Sequence, residues 1–179
     1  MCPVGYAAGL DNKIRRIIQR PNNVLKPHSK EGMTVLDLGC GPGYFTIEIA
    51  RMLNNTGKVI AADLQKGMLE KLRQKIKGTA LESNIIFHQC QEENIGITEK
   101  IDFILAFYMI HEVPNHDKLF QELYSILQMN GRILIVEPMF HVSGKSFENM
   151  LNKVKGIGFE IIDRPKSFLN RSVILVKKK

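Results

Sequence analysis

This sequence of 179 residues predicts an α/β fold with a doubly wound, mostly parallel sheet that closes with an antiparallel strand. Three observations predict it. Short β-rich apolar runs alternate with segments whose apolar residues recur at helical spacing, the pattern of strands joined by crossover helices. A glycine turn, Gly39-Cys40-Gly41-Pro42-Gly43, lies between the first such run and the first such helix. The last two apolar runs follow each other with no room for a crossover helix, so they must be antiparallel.

The elements follow in order. Between Asp11 and Gln19, Ile14, Ile17 and Ile18 share one helical face, Arg15 and Arg16 take the other, and Pro21 ends the run. Residues 1–30 are therefore expected to form an amphipathic helix and lead-in loop ahead of one domain over residues 31–179. Thr34–Leu38 reads as a buried strand. The glycine turn feeds a helix over Tyr44–Leu53, whose Phe45, Ile49 and Leu53 fall on one face. After the turn cluster Asn54-Asn55-Thr56-Gly57, Lys58–Asp63 is strand two and Lys66–Lys77 a helix with Met68, Leu69, Leu72 and Ile76 together. Ile85–Gln89 is strand three, Asp102–Phe107 strand four, Lys118–Leu127 a helix and Arg132–Val136 strand five. A helix around Phe147–Lys155 leads to the closing pair, Phe159–Asp163 and Val173–Val176.

A chain of this length suits a single core, since domains cluster near ~100–150 residues. Its 44% hydrophobic and 24% charged residues belong to a globular protein rather than a disordered one. No apolar run approaches the ~20 residues of a membrane-spanning helix. The amino terminus lacks a basic segment followed by an apolar one, so no secretory signal is read and the cytoplasm is expected. Cys2, Cys40 and Cys90 form no CxxC pair and no two histidines stand four apart, which points to reduced thiols and no metal. The net charge of +7 gathers at the ends: residues 1–30 carry six Lys and Arg against one acid, and residues 140–179 nine against three. Such ends could steer an anion or nucleic acid. They lack the interleaved aromatics of an RNA-binding surface, so a solvated surface is favoured.

In an open parallel sheet, ligands bind beyond the carboxyl ends of the strands, at the switch point beside strand one. Strand one ends there at Leu38, and glycines at 39, 41 and 43 allow a sharp turn and close approach of a ligand. Asp63 ends strand two, where a carboxylate can accept hydrogen bonds from both ribose hydroxyls of an adenosine cofactor. The dinucleotide pattern GxGxxG would need glycine where Tyr44 stands. The turn here is GxGxG, with Asp37 two residues before it and no Arg or Lys to meet a pyrophosphate.

Val35-Leu36-Asp37-Leu38-Gly39-Cys40-Gly41-Pro42-Gly43 resembles the first motif of the class I S-adenosylmethionine-dependent methyltransferases, and the resemblance runs over nearly the whole chain. Asp63 matches that family's acidic residue after strand two, Ile101–Phe107 its fourth-strand motif, and Leu127-Gln128-Met129-Asn130-Gly131-Arg132 its turn into strand five. Phe87–Ile95 resembles the third motif, with Gln91 where an aspartate commonly meets the adenine amino group; a Gln carbonyl can accept the same bond. The resemblance implies a Rossmann-like seven-stranded sheet, S-adenosylmethionine as cofactor and S-adenosylhomocysteine as product. It implies cofactor contacts along Asp37, Gly39, Cys40, Gly41, Gly43 and Tyr44, at Asp63, Leu64 and Met68, and beside Gln91, Glu92 and Ala106. The simple turn and the position of His111 are similar to the small-molecule branch that includes quinone C-methyltransferases and arsenite methyltransferases.

The family implies SN2 transfer of a methyl group from sulfonium to a nucleophile, in which alignment alone can supply ~7–11 kcal/mol. A general base is needed only where the acceptor must lose a proton. Catalytic candidates therefore follow strand four: Tyr108, His111 and Glu112. His111 leads, because an unperturbed imidazole titrates near ~6.5; the plain alternative is a histidine bonded to backbone. His141, after Glu137-Pro138-Met139-Phe140, is the second candidate. Cys40 and Cys90 read as small packed residues rather than substrate thiols. Ala106-Phe107-Tyr108-Met109 lacks the polar-Pro-Pro-aromatic tetrad of nucleic-acid amino methyltransferases, which hold a flipped base.

The expected acceptor is a small molecule walled by the amino-terminal helix and the loops after strands four and five, with Phe107, Met109, Met139 and Phe140 supplying apolar surface. With no inserted cap, that pocket is open, a second protomer closes it in a homodimer, or the acceptor is itself large. Two alternatives stand beside this: an RNA or protein methyltransferase docking through the basic ends, and a non-catalytic binder of S-adenosylmethionine or S-adenosylhomocysteine.

Overall fold

The structure, a computed structural model, describes residue 25, residues 28–166 and residues 169–178. The helix expected over Asp11–Gln19 lies outside them. The described strands are β1 (Thr34–Leu38), β2 (Lys58–Asp63), β3 (Ile85–Gln89), β4 (Ile101–Phe107), β5 (Leu127–Pro138), β6 (Phe159–Asp163) and β7 (Asn170–Lys177). The described α-helices longer than one turn are α1 (Tyr44–Met52), α2 (Lys66–Ile76), α3 (His116–Ile126) and α4 (Gly144–Ile157). The strands form one sheet in the order β3-β2-β1-β4-β5-β7-β6. The expected class, a mostly parallel seven-stranded α/β sheet with an antiparallel C-terminal strand, is the fold observed. Two compact units divide the chain between Gln91 and Glu92.

In the first unit β1, β2 and β3 are parallel, in the register Val35↔Val59 and Val59↔Ile85. Parallel strands covered on both faces read as unbroken apolar runs, and β1 and β2 are buried from their second residue onward. Helix α1 packs on β1 and β2 with Phe45, Ile49 and Ala50 buried, and α2 on β2 and β3 with Met68, Leu69, Leu72 and Ile76 buried. The chain leaves α1 through Asn54 and Asn55, both in the left-handed region that Asn tolerates better than other side chains.

In the second unit β4 and β5 are parallel, while β7 lies between β5 and β6 and is antiparallel to both. Strand β5 begins at Leu127, five residues before the expected Arg132. Its register with β4 runs from Ile101↔Leu127 to Phe103↔Arg132, so β4 advances two residues while β5 advances five. The segment expected to be a turn is therefore folded into the strand as a bulge. A Cβ at Gly131 would stand 2.8 Å from Leu127 Cδ1 and 3.0 Å from the carbonyl oxygens of Ile101 and Asp102, which explains the glycine.

Helix α3 starts at His116, two residues earlier than expected, because the Asn115 side chain accepts from the Lys118 N–H at 3.0 Å. Helix α4 starts at Gly144 behind a Ser143 cap at 3.1 Å and ends on Gly158 in the left-handed conformation. Phe120 and Tyr124 of α3 meet Phe159 of β6 edge-on, with ring centroids 6.3 and 5.2 Å apart. No helix among the described residues is long and apolar enough to cross a membrane.

Candidate functional site

The first unit builds its site from backbone. The N–H groups of Gly39 and Cys40 both donate to the Ala62 carbonyl, at 2.8 and 3.0 Å, tying the glycine turn to the end of β2. The Gly41 N–H donates to Asp63 Oδ2 at 2.8 Å, while Asp63 Oδ1 accepts from the Gln65 N–H at 2.8 Å. One carboxylate thus shapes both the turn after β1 and the start of α2. Lys75 of α2 donates from Nζ to the Pro42 carbonyl at 2.8 Å. Below the turn, Asp37 is 2% exposed and accepts from the Thr46 hydroxyl at 2.6 Å.

The three glycines have φ of +73°, +54° and +86° at 39, 41 and 43, a region that costs other residues roughly 1–2 kcal/mol. Gly43 and Gly41 serve different ends. A Cβ on Gly43 would lie 2.1 Å from Leu72 Cδ1, whereas a Cβ on Gly41 would meet nothing within 4 Å. Gly43 therefore lets α1 close on α2, and Gly41 leaves the turn open beside the Asp63 carboxylate.

Burial pushes the Cys40 thiol well above its usual range, and the charges of Asp37 and Asp63 add to the effect. A thiol held protonated is a poor nucleophile, which agrees with a packing role. The Cys90 N–H donates to the Asp63 carbonyl at 3.0 Å, and Gln91 and Glu92 follow it exposed. Leu64 is half-buried and Tyr44 buried. Met68 and Ala106, expected beside the cofactor, are 2% and 0% exposed. Met68 lies on the apolar face of α2 and Ala106 inside β4, and burial leaves their side chains almost no surface for a ligand.

The second unit builds its polar cluster from side chains. Tyr108 follows β4 with φ +59°, a left-handed conformation that is strained for an aromatic residue. Its N–H donates to the Val136 carbonyl at 2.8 Å, its hydroxyl bonds Asn170 Oδ1 of β7, and its ring lies 4.3 Å from that of Phe107. A single turn of 3-10 helix, Ile110–Glu112, comes next. The His111 ring bonds Glu137 Oε2 through Nδ1, and the Ile110 N–H donates to Glu137 Oε1 at 2.9 Å. Glu137, on β5, is 1% exposed. Burial pushes its carboxyl above the usual range, opposed by His111 and by the backbone of Ile110 and His111.

His141 stacks on His111, ring centroids 5.5 Å apart and planes 18° apart. Of the candidates, the structure thus brings His111 onto the Glu137 carboxylate and stacks His141 on the His111 ring. Tyr108 is engaged with β7, and Glu112 is exposed, its N–H donating to the Met109 carbonyl at 3.1 Å. Of the expected apolar surface, Phe140 and Met139 are exposed, Met109 half-buried and Phe107 buried. Among the described residues no three His, Cys, Asp or Glu side chains gather as metal ligands.

Four residues here carry no motif: Thr46, Lys75, Glu137 and Asn170. Glu137 alone leaves a signal in the sequence, a carboxylate at the end of the apolar run Ile133–Val136, where a strand this buried would favour an apolar residue.

A family model described as "Methyltransferase domain" matches residues 29–165. The ubiquinone/menaquinone biosynthesis C-methyltransferase UbiE of Haemophilus ducreyi is 30% identical over 136 residues, 72% of this chain and 52% of that protein. The protein of the same name from Escherichia coli O1:K1 is 29% identical over 123 residues, 66% of this chain and 49% of that one. The chain spans about half the length of these curated relatives. Among solved structures, a SAM dependent methyltransferase from Aquifex aeolicus has the same fold, with a TM-score of 0.87 and 24% identity over 98% of each chain.

Proposed function

Because this chain belongs to the methyltransferase domain family, we propose that it uses S-adenosylmethionine to methylate a small-molecule acceptor. The observation that carries the proposal is the open face of Gly41 beside the Asp63 carboxylate. The residues present fit an adenosine cofactor. Asp63 stands at the end of β2 beside the glycine turn, its oxygens accepting from the Gly41 and Gln65 N–H groups, and its charge makes it a strong acceptor for ribose hydroxyls. S-adenosylmethionine, when bound, supplies a methyl group on a sulfonium centre whose departure as a sulfide needs no acid. Gly39–Gly43 and Asp63 then bind and orient it, Gln91 and Glu92 border the adenine end, and His111 receives a proton where the acceptor must lose one.

The small-molecule class is supported by the quinone-pathway relatives and by the absence of a base-holding tetrad at the end of β4. In this proposal the protein is cytoplasmic, where the Cys40 and Cys90 thiols stay reduced. A second protomer covers the acceptor side, and light scattering at working concentration checks that homodimer.

Titrating S-adenosylmethionine into the wild type and Asp63→Asn by calorimetry tests the cofactor site. Loss of one charge-assisted bond, about 1.5–3 kcal/mol, predicts affinity lower by ~10- to 100-fold. Equal affinity for both proteins defeats the site. Incubation with methyl-labelled cofactor and a cell extract then separates the functions. Label in small metabolites supports the proposal, label in RNA or protein supports docking through the basic ends, and binding without transfer supports a sensor.

A further inference from the structure

Glu137 is a buried carboxylate whose Oε1 accepts from the Ile110 N–H at 2.9 Å and whose Oε2 is hydrogen-bonded to the His111 ring nitrogen Nδ1. Burial raises the Glu137 pKa, while the Ile110 N–H favours the ionised carboxylate, and an ionised carboxylate accepts but cannot donate. Beside the ionised carboxylate His111 carries its proton on Nδ1, which in the neutral ring leaves the lone pair on Nε2. The stack on His141 fixes the plane of the ring. None of the described residues bonds Nε2, and the His111 side chain keeps 24% of its surface exposed.

We infer that Glu137 is a positioning residue that fixes the tautomer of His111, making Nε2 the proton acceptor for an acidic C–H, O–H or N–H bond of the methyl acceptor. This role rests on the methyl-transfer function proposed above. As the acceptor atom is methylated, the electron pair of its bond to hydrogen becomes its bond to the methyl carbon. The carbon–sulfur bond breaks with its pair left on sulfur, and the proton passes to Nε2 and then to water. The acceptor class narrows accordingly to groups that must lose a proton. A tertiary amine or a thioether needs no such base.

The test begins with nitrogen NMR of the protein labelled with 15N-histidine, at about pH 9, well above the ~6.5 of an unperturbed imidazole. His111→Asn assigns the His111 signals by their loss. The wild type is expected to show Nδ1 protonated and Nε2 bare. Glu137→Gln keeps the shape of the side chain but offers an amide N–H to Nδ1, so the tautomer reverses. Turnover of the acceptor found by labelling should then fall ~100- to 10,000-fold, the upper figure being the cost of a wrong tautomer in a serine-protease triad. Cofactor affinity should hold, and Glu137→Asp should restore part of the turnover.

A bare Nδ1 in the wild type overturns the inference, as does a reversed tautomer with wild-type turnover. If Glu137→Gln fails to fold, the wild-type spectrum decides alone. A wild type that binds no S-adenosylmethionine defeats the proposed function and the role of Nε2 with it, whereas the tautomer set by Glu137 is read independently.

Discussion

Each half of the molecule ends a parallel-paired strand with a carboxylate, Asp63 on β2 and Glu137 near the end of β5, and the two do different work. Asp63 holds backbone, the N–H groups of Gly41 and Gln65. Glu137 holds a side chain as well, the ring of His111 beside the Ile110 N–H. A site shaped through backbone tolerates few residue types, because glycine alone takes its dihedrals cheaply. A site shaped through side chains uses residues common elsewhere, and its partners are set by tertiary structure.

The sharpest break of this comparison is expected at Gly43. Gly43→Ala adds about 1–2 kcal/mol of left-handed strain to about 1–3 kcal/mol of overpacking against Leu72, so urea unfolding should show a loss of about 2–5 kcal/mol. A smaller loss would mean that α1 and α2 part easily. Thr46→Val should cost about 1–3 kcal/mol, since buried Asp37 loses the 2.6 Å donor; an unchanged midpoint would mean that Asp37 finds another partner. Gly41→Ala should cost only about 1 kcal/mol, its Cβ meeting nothing within 4 Å, yet S-adenosylmethionine affinity should drop at least ~10-fold. Equal affinity would remove Gly41 from the site.

Glu137 should show itself in the pH dependence of stability. Its folded pKa is raised above the unfolded value of 4.5, so between the two values the folded chain binds more protons than the unfolded chain. The stability it contributes is fully present below the unfolded pKa and is lost as pH rises through the folded pKa. Melting curves of wild type and Glu137→Gln should diverge across that window in favour of the variant, and a constant difference would contradict the raised pKa. The smallest effect concerns Cys40, which should resist iodoacetamide at about pH 8 in the folded protein and react on unfolding, as read by peptide mass spectrometry. Fast alkylation of the folded protein would show that the glycine turn opens.

Much of the first half could be read in the sequence because its constraints are local. Gly39, Gly41 and Gly43 advertise a left-handed turn, and Asp63 follows at the end of the next apolar run. The closing pair of strands was equally legible, since a short connection forbids a parallel crossover. The bulge in β5 was not, because Gly131 looks the same in a turn as in a strand that widens against Ile101 and Asp102. For Met68 and Ala106, helical period and strand position say which face a residue takes, and here that face is core. His111 was visible but its partner was not, because Glu137 lies 26 residues away and only the pairing of β5 with β4 brings its segment near.

The bond from the Gly41 N–H to Asp63 also has a kinetic consequence. An amide that donates to a carboxylate only 9% exposed trades its hydrogen for deuterium only when the turn unlocks. A turn held by this bond in the folded chain has its ordering as a cost of folding, not of association. Encounter should be close to rigid docking, and the Gly41 amide a slow-exchanging reporter whose protection changes little when the cofactor binds.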